Sequence, residues 1–189
     1  MISFRIKGTA VRIGFSFLVF NALIFLLRES SQVCAFYAAC IFHECGHLTA
    51  LWLTGSSPSY IVFGCTGIRI GVRGNGAVSV LRSLIVLLAG PAANVTVYFI
   101  TKLTDCGGEL ALLNLTAAAY NMLPYRSLDG GAAIALFTEG RPFESAAEIL
   151  LTVLRLLIAS ATALAVWKYG MTALPLLIAA AAPLILRDV

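Results

Sequence analysis

From Val33 to Thr54 the chain is apolar for long enough to cross a bilayer, yet His43, Glu44 and His47 stand in its middle. A segment in hydrocarbon must satisfy its own backbone hydrogen bonds, so a run of this kind has to be helical. On a helix, a four-residue separation puts both imidazoles on one face, one turn apart, where they can bind a single metal ion. Glu44, beside the first of them, is then the candidate general base, taking a proton from a water whose pKa a bound Zn2+ has lowered. The plain alternative is a helix with two incidental histidines. It leaves three polar side chains at lipid depth, at a cost of several kcal/mol, with nothing gained.

Composition supports the membrane setting. The 189 residues are 60% hydrophobic and 12% charged. A soluble domain carries about twice that share of charge, so these apolar residues must face lipid as well as each other. The net charge of +4 is dispersed along the chain, and without a basic tract there is no footprint for nucleic acid. Five cysteines (Cys34, Cys40, Cys45, Cys65 and Cys106) are odd in number and form no CxxC pair, so they read as small apolar residues. Cys45, inside the histidine motif, points about 200° around the helix from His43 and away from a shared ion.

The remaining segments follow in order. Arg5, Lys7 and Arg12 precede an apolar run from Val11 to Leu27, which reads as a retained first span, with Asn21 as its polar interior residue. Residues 60 to 81 switch to period two, with Ile68, Ile70 and Val72 alternating against Arg69, Gly71 and Arg73. That pattern predicts a β-hairpin turning at Gly74-Asn75-Gly76. Its edge could hold an unwound peptide by main-chain pairing, or it could be a connection only. Ser83 to Leu103 is a third span containing Ala89-Gly90-Pro91-Ala92-Ala93-Asn94, where small residues favour close packing and the buried Asn94 needs a partner.

Leu110 to Phe137 is apolar but broken at Asn121-Met122-Leu123-Pro124-Tyr125-Arg126-Ser127-Leu128-Asp129-Gly130-Gly131. Irregular backbone at this depth is tolerated where it is buried in protein or lines a wet cavity. Asp129 there supplies the carboxylate that a two-histidine site takes as a third ligand, or it pairs with Arg126. Glu139, Arg141, Glu144 and Glu148 make the next aqueous loop. Ala146 to Trp167, interrupted by Arg155, and Met171 to Leu186 complete about six spans. With the N-terminus cytoplasmic, that side receives Arg5, Lys7, Arg12, Arg69, Arg73, Arg82, Arg141 and Arg187, and the other only Arg28, Lys102 and Lys168. The positive-inside rule therefore places both termini in the cytoplasm.

His43-Glu44-Cys45-Gly46-His47, Gly90-Pro91-Ala92-Ala93-Asn94, and Asn121-x-x-Pro124 leading to Leu128-Asp129-Gly130-Gly131 resemble, in order and spacing, the site-2 protease family of intramembrane zinc metalloproteases. The match spans residues 43 to 131. Ser127 departs from the proline of many relatives, and Ala132 from a common arginine. The resemblance implies an all-α polytopic membrane protein of about six transmembrane helices, with a short membrane-associated β-hairpin between the second and third. Residues 1 to 189 would form a single transmembrane metalloprotease domain with its catalytic core at about 33 to 137.

It further implies His43, His47 and Asp129 as zinc ligands, Glu44 as catalytic base, and Asn121 and Asn94 in substrate or oxyanion positioning. The chain leaves no room for an appended PDZ or CBS domain, which resembles the layout of the bacterial sporulation branch whose members release a membrane-held sigma-factor precursor. Implied partners are a membrane protein or membrane-associated precursor as substrate, inhibitory or regulatory membrane subunits, the lipid bilayer and a second copy of the chain. Two rivals use the same ligands. A zinc transporter leaves Glu44 without a role, and a non-catalytic metal-binding membrane protein would ordinarily have lost a ligand or the base.

Overall fold

The protein is described by a computed structural model over residues 1–6, 8–27, 29–64, 67–72, 79–104 and 108–170. Two β-strands, β1 (Ile2–Ile6) and β2 (Thr9–Ile13), lead into helices α1 (Phe15–Leu27) and α2 (Ser30–Leu53). Strands β3 (Pro58–Gly64) and β4 (Gly67–Val72) follow, then α3 (Val80–Leu103), α4 (Gly108–Asn121), α5 (Asp129–Thr138) and α6 (Glu144–Tyr169). Packing divides the chain into two compact units, Met1–Tyr120 and Asn121–Val189.

The first expected span is corrected. Val11 to Leu27 is not one helix, because the chain is a strand as far as Ile13 and helical only from Phe15. Residues 2 to 13 alternate in the manner of a hairpin, and Gly8, at φ 88°, makes the reversal between β1 and β2. β2 then pairs parallel to β3, Val11 opposite Ile61, and the Gly14 N–H donates to the Phe63 carbonyl at 2.9 Å. That bond holds the chain to the sheet before α1 begins. The 13 residues of α1 rise about 20 Å, short of a hydrocarbon core of about 30 Å. Asn21 on α1 accepts a hydrogen bond from the Tyr37 hydroxyl on α2.

The expected hairpin between α2 and α3 is present, but as half of a four-stranded sheet of order β1-β2-β3-β4. Gly64 pairs with Gly67, so the strands reverse between these residues. That is earlier than the expected turn at Gly74-Asn75-Gly76, which lies outside the described residues. The expected final span, Met171 to Leu186, also lies outside them.

Among the described residues, α3 and α6 are long and apolar enough to cross a membrane. Their surfaces run opposite to those of soluble helices. Leu81, Phe99, Ile100 and Leu103 of α3 and Leu156, Leu157, Leu164 and Trp167 of α6 are exposed, while Asn94 and Arg155 on the same helices are buried. A soluble monomer rarely exposes apolar area on this scale, and lipid is the solvent that such a surface fits.

Candidate metal centre

Within the first unit, α2 and α3 lie against each other along the face that carries the histidines. Two glycines permit the approach. A Cβ at position 46 would overlap the Ala89 carbonyl and the Ala93 Cβ across the interface. A Cβ at position 90 would overlap the imidazole ring of His47 and the Cε1 of His43. Glycine is required at both positions by space, since neither adopts a positive φ. Gly55, at φ 68°, follows the end of α2, where the Thr54 hydroxyl and amide both donate to the Ala50 carbonyl.

The two rings are oriented from behind. His47 Nδ1 lies 2.7 Å from the Val86 carbonyl and His43 Nδ1 lies 2.7 Å from Asn94 Oδ1. A carbonyl only accepts, so His47 carries its proton on Nδ1. The same holds for His43 once the Asn94 amide is oriented, and its neighbours orient it. Asn94 Nδ2 donates to the Ala39 carbonyl at 2.9 Å and to Asn114 Oδ1 at 2.8 Å, while Asn114 Nδ2 donates to the Leu110 carbonyl at 2.8 Å. Two backbone carbonyls, at 39 and 110, therefore turn both amides so that Asn94 presents oxygen to His43.

With both Nδ1 atoms protonated, both Nε2 atoms carry lone pairs, and they sit 3.1 Å apart. Two lone pairs at that separation repel unless something positive lies between or beside them. Imidazole nitrogens whose far N–H is held by an oxygen are the usual zinc donors, so this pair fits a bound Zn2+. His43 is buried, and His47 and the adjacent Glu44 are half-buried. Cys45 is exposed, on a different side of α2 from buried His43.

In the second unit, Asp129 is the first residue of α5, with Leu128 as the extended residue before it. The loop that leads to it is stiff. The Tyr125 N–H donates to the Leu123 carbonyl and the Leu128 N–H to the Tyr125 carbonyl, both at 2.9 Å. Gly130 and Gly131 have no space for a Cβ, because the Met122 and Tyr125 backbones occupy it. Arg155, buried in α6, donates its Nε–H to the Pro124 carbonyl at 2.7 Å. Glu148 pairs with Arg126 at 2.8 Å and lies 3.7 Å from Arg155 Nη1. Arg126, which the sequence left as a possible partner of Asp129, is paired with Glu148.

Of the expected site residues, the first unit brings together His43, His47 and Asn94, with Glu44 beside His43 on the same turn. Asn121 closes α4, half-buried, and Asp129 opens α5. Asn94 is 0% exposed, and its amide is bonded to His43, the Ala39 carbonyl and Asn114. Sequence reasoning missed Asn114 altogether. The available signal was an amide in the apolar interior of α4, the same signal that marked Asn94. Arg155, which interrupts the apolar run of α6, is held by the Pro124 carbonyl and lies near Glu148.

A mostly helical chain with a small mixed sheet carries a paired-histidine helix against a glycine-containing helix. A solved structure with this fold is the site-2 protease from Methanocaldococcus jannaschii. The two superpose with a TM-score of 0.60 and 16% sequence identity, over 96% of this chain and 94% of that one. No family model and no curated protein matches the chain by sequence.

Proposed function

We propose that the protein is an intramembrane zinc metalloprotease of the site-2 type, which hydrolyses a peptide bond of a membrane-embedded or membrane-associated protein. The observation that carries this is the pair of Nε2 atoms, 3.1 Å apart, on the helix that also bears Glu44, within a site-2 protease fold. His43, His47 and Asp129 each offer one ligand atom and as a group could hold a metal ion. Two imidazoles and a carboxylate are the donor set of catalytic zinc sites that keep a fourth position open.

Bound zinc would polarise the scissile carbonyl and lower the pKa of an attacking water. Glu44 takes the proton from that water and returns it to the leaving amine nitrogen. Asn121 is assigned to positioning the substrate or its developing oxyanion. A helical substrate hides its carbonyls in intrahelical bonds and must open locally. Among the described residues β4 is an edge of the sheet, whose main-chain groups could receive the opened strand. Replacing residues 68 to 73 tests that last role, and unchanged cleavage would remove it.

The membrane reading extends to several spans with both termini cytoplasmic, following the distribution of Lys and Arg. Its biological setting is regulated proteolysis, with release of a transcription or sigma factor from a membrane anchor.

The deciding experiment compares wild type with Glu44→Gln, purified in detergent and given a single-span test substrate. About one zinc per chain in both is expected, with cleavage reduced at least about 100-fold in the variant. Zinc in both with cleavage in neither would favour a metal-binding protein or a transporter. Transport of zinc into proteoliposomes separates those two.

A further inference from the structure

Asn114 is a fully buried amide on α4 that the proposed chemistry does not use. Nothing in an apolar helix requires an amide at this position, and burying one costs free energy unless it is bonded. Its bonds run in one direction. The Leu110 carbonyl fixes its Nδ2, which leaves Oδ1 as the acceptor for Asn94 Nδ2, at 2.8 Å. Asn94 in turn has its second Nδ2 proton on the Ala39 carbonyl, which leaves its Oδ1 for His43 Nδ1.

We propose that Asn114 is a positioning residue for the metal centre, acting through Asn94 to hold His43 as the Nδ1–H tautomer with Nε2 turned toward the ion. The proposal rests on the zinc-site assignment above. His47 has no part in this relay, since the Val86 carbonyl holds its Nδ1 directly. The two histidines therefore differ in kind. One is set by a backbone group of the adjacent helix, the other by two amides in series drawn from α3 and α4. Without Asn114, the Ala39 carbonyl is left as the single partner in this network that opposes rotation of the Asn94 amide, and a turned amide would offer NH2 to His43 where oxygen is needed. His43 would then move its proton to Nε2 and lose the lone pair that binds the ion.

The test uses the full chain labelled with 15N-histidine, in detergent, as wild type, Asn114→Leu and Asn114→Asp. Leucine keeps the volume and removes the bonds, whereas a neutral aspartic acid keeps an acceptor for Asn94 and a donor for Leu110. With two histidines in the chain, the ring nitrogens are assigned by a single His47→Gln control. In metal-free protein, Asn114→Leu is expected to shift the His43 nitrogens toward the Nε2–H pattern and leave those of His47 in place. Zinc affinity, measured by competition with a chelating dye, should fall three- to tenfold, at or below the range of about 10–100-fold for groups that touch the ligand directly. Asn114→Asp should restore both.

Unmoved His43 nitrogens with zinc affinity within twofold of wild type would overturn the relay. So would a joint shift of both histidines, which reports general loosening, or failure of Asn114→Asp to restore what Asn114→Leu loses, which reports packing. Wild type that binds no zinc but shows the tautomer response would refute the zinc assignment and leave the relay standing.

Discussion

His43 and His47 take their common direction from one turn of α2, whereas Asp129 reaches the start of α5 only after a seven-residue break in regular structure that α6 and the loop's own backbone hold in place. The helix-borne part needs only that a neighbour come close and supply acceptors. Helical repeat has already placed the two ring nitrogens together. For the loop-borne part, no repeat fixes the position of the carboxylate, so each step depends on a specific contact. These are two glycines under backbone atoms, a guanidinium on the Pro124 carbonyl, and a glutamate bridging two arginines. A donor on a regular element tolerates local change, and a donor on an irregular one depends on its support.

That contrast can be broken at several points. The largest effect is expected from Gly131→Ala, whose Cβ would meet the Tyr125 backbone, a group with nowhere to move. A cost of about 3 kcal/mol or more is expected in denaturant unfolding, with faster hydrogen exchange across α5. Gly46→Ala is the matched change on the histidine side. Its Cβ would push on the Ala89 carbonyl and Ala93, but two packed helices can part slightly, so about 1–3 kcal/mol is expected from the same unfolding measurement. A larger loss for Gly46→Ala than for Gly131→Ala would overturn the contrast.

Arg155→Met should come next. It removes a buried donor from the Pro124 carbonyl and a charge from partly exposed Glu148, for about 2 kcal/mol, with increased exchange confined to residues 121 to 128. The smallest effect belongs to Glu148→Gln. Its contact with Arg126 is largely exposed and worth about 0–1 kcal/mol, and Arg155 keeps its bond to Pro124. Added salt should shrink the Glu148→Gln effect and leave that of Arg155→Met nearly unchanged, because screening acts on exposed charges and hardly on buried hydrogen bonds.

Much of this centre was legible in the sequence, because it depends on short-range spacing. The four-residue interval of the histidines, the adjacent glutamate and the interrupted stretch around Pro124 are properties of a few neighbouring residues, and they project onto a helix or a break without knowledge of anything distant. The same holds for the alternation in β4. Where sequence reasoning failed, long-range pairing was responsible. Val11 and Ile13 are as apolar as the helix that follows, and only pairing with β3, 50 residues away in the Ala10–Tyr60 register, makes this segment a strand. Hydropathy averaged over a window cannot see such a partner.

By itself the sequence determined which side chains could bind a metal, that the histidine-bearing segment had to be helical and that much of the surface had to be apolar, since these follow from chemical identity and local period. Tertiary structure alone decided which nitrogen of each histidine faces a protein oxygen, because that depends on acceptors at Val86 and Asn94, some 40 to 50 residues away in the chain. It also decided that Asn94 stands behind a ring with Asn114 behind it, and that Arg155 supports a loop. A hydrogen bond is fixed by distance and direction in space, and one sequence states neither for residues far apart.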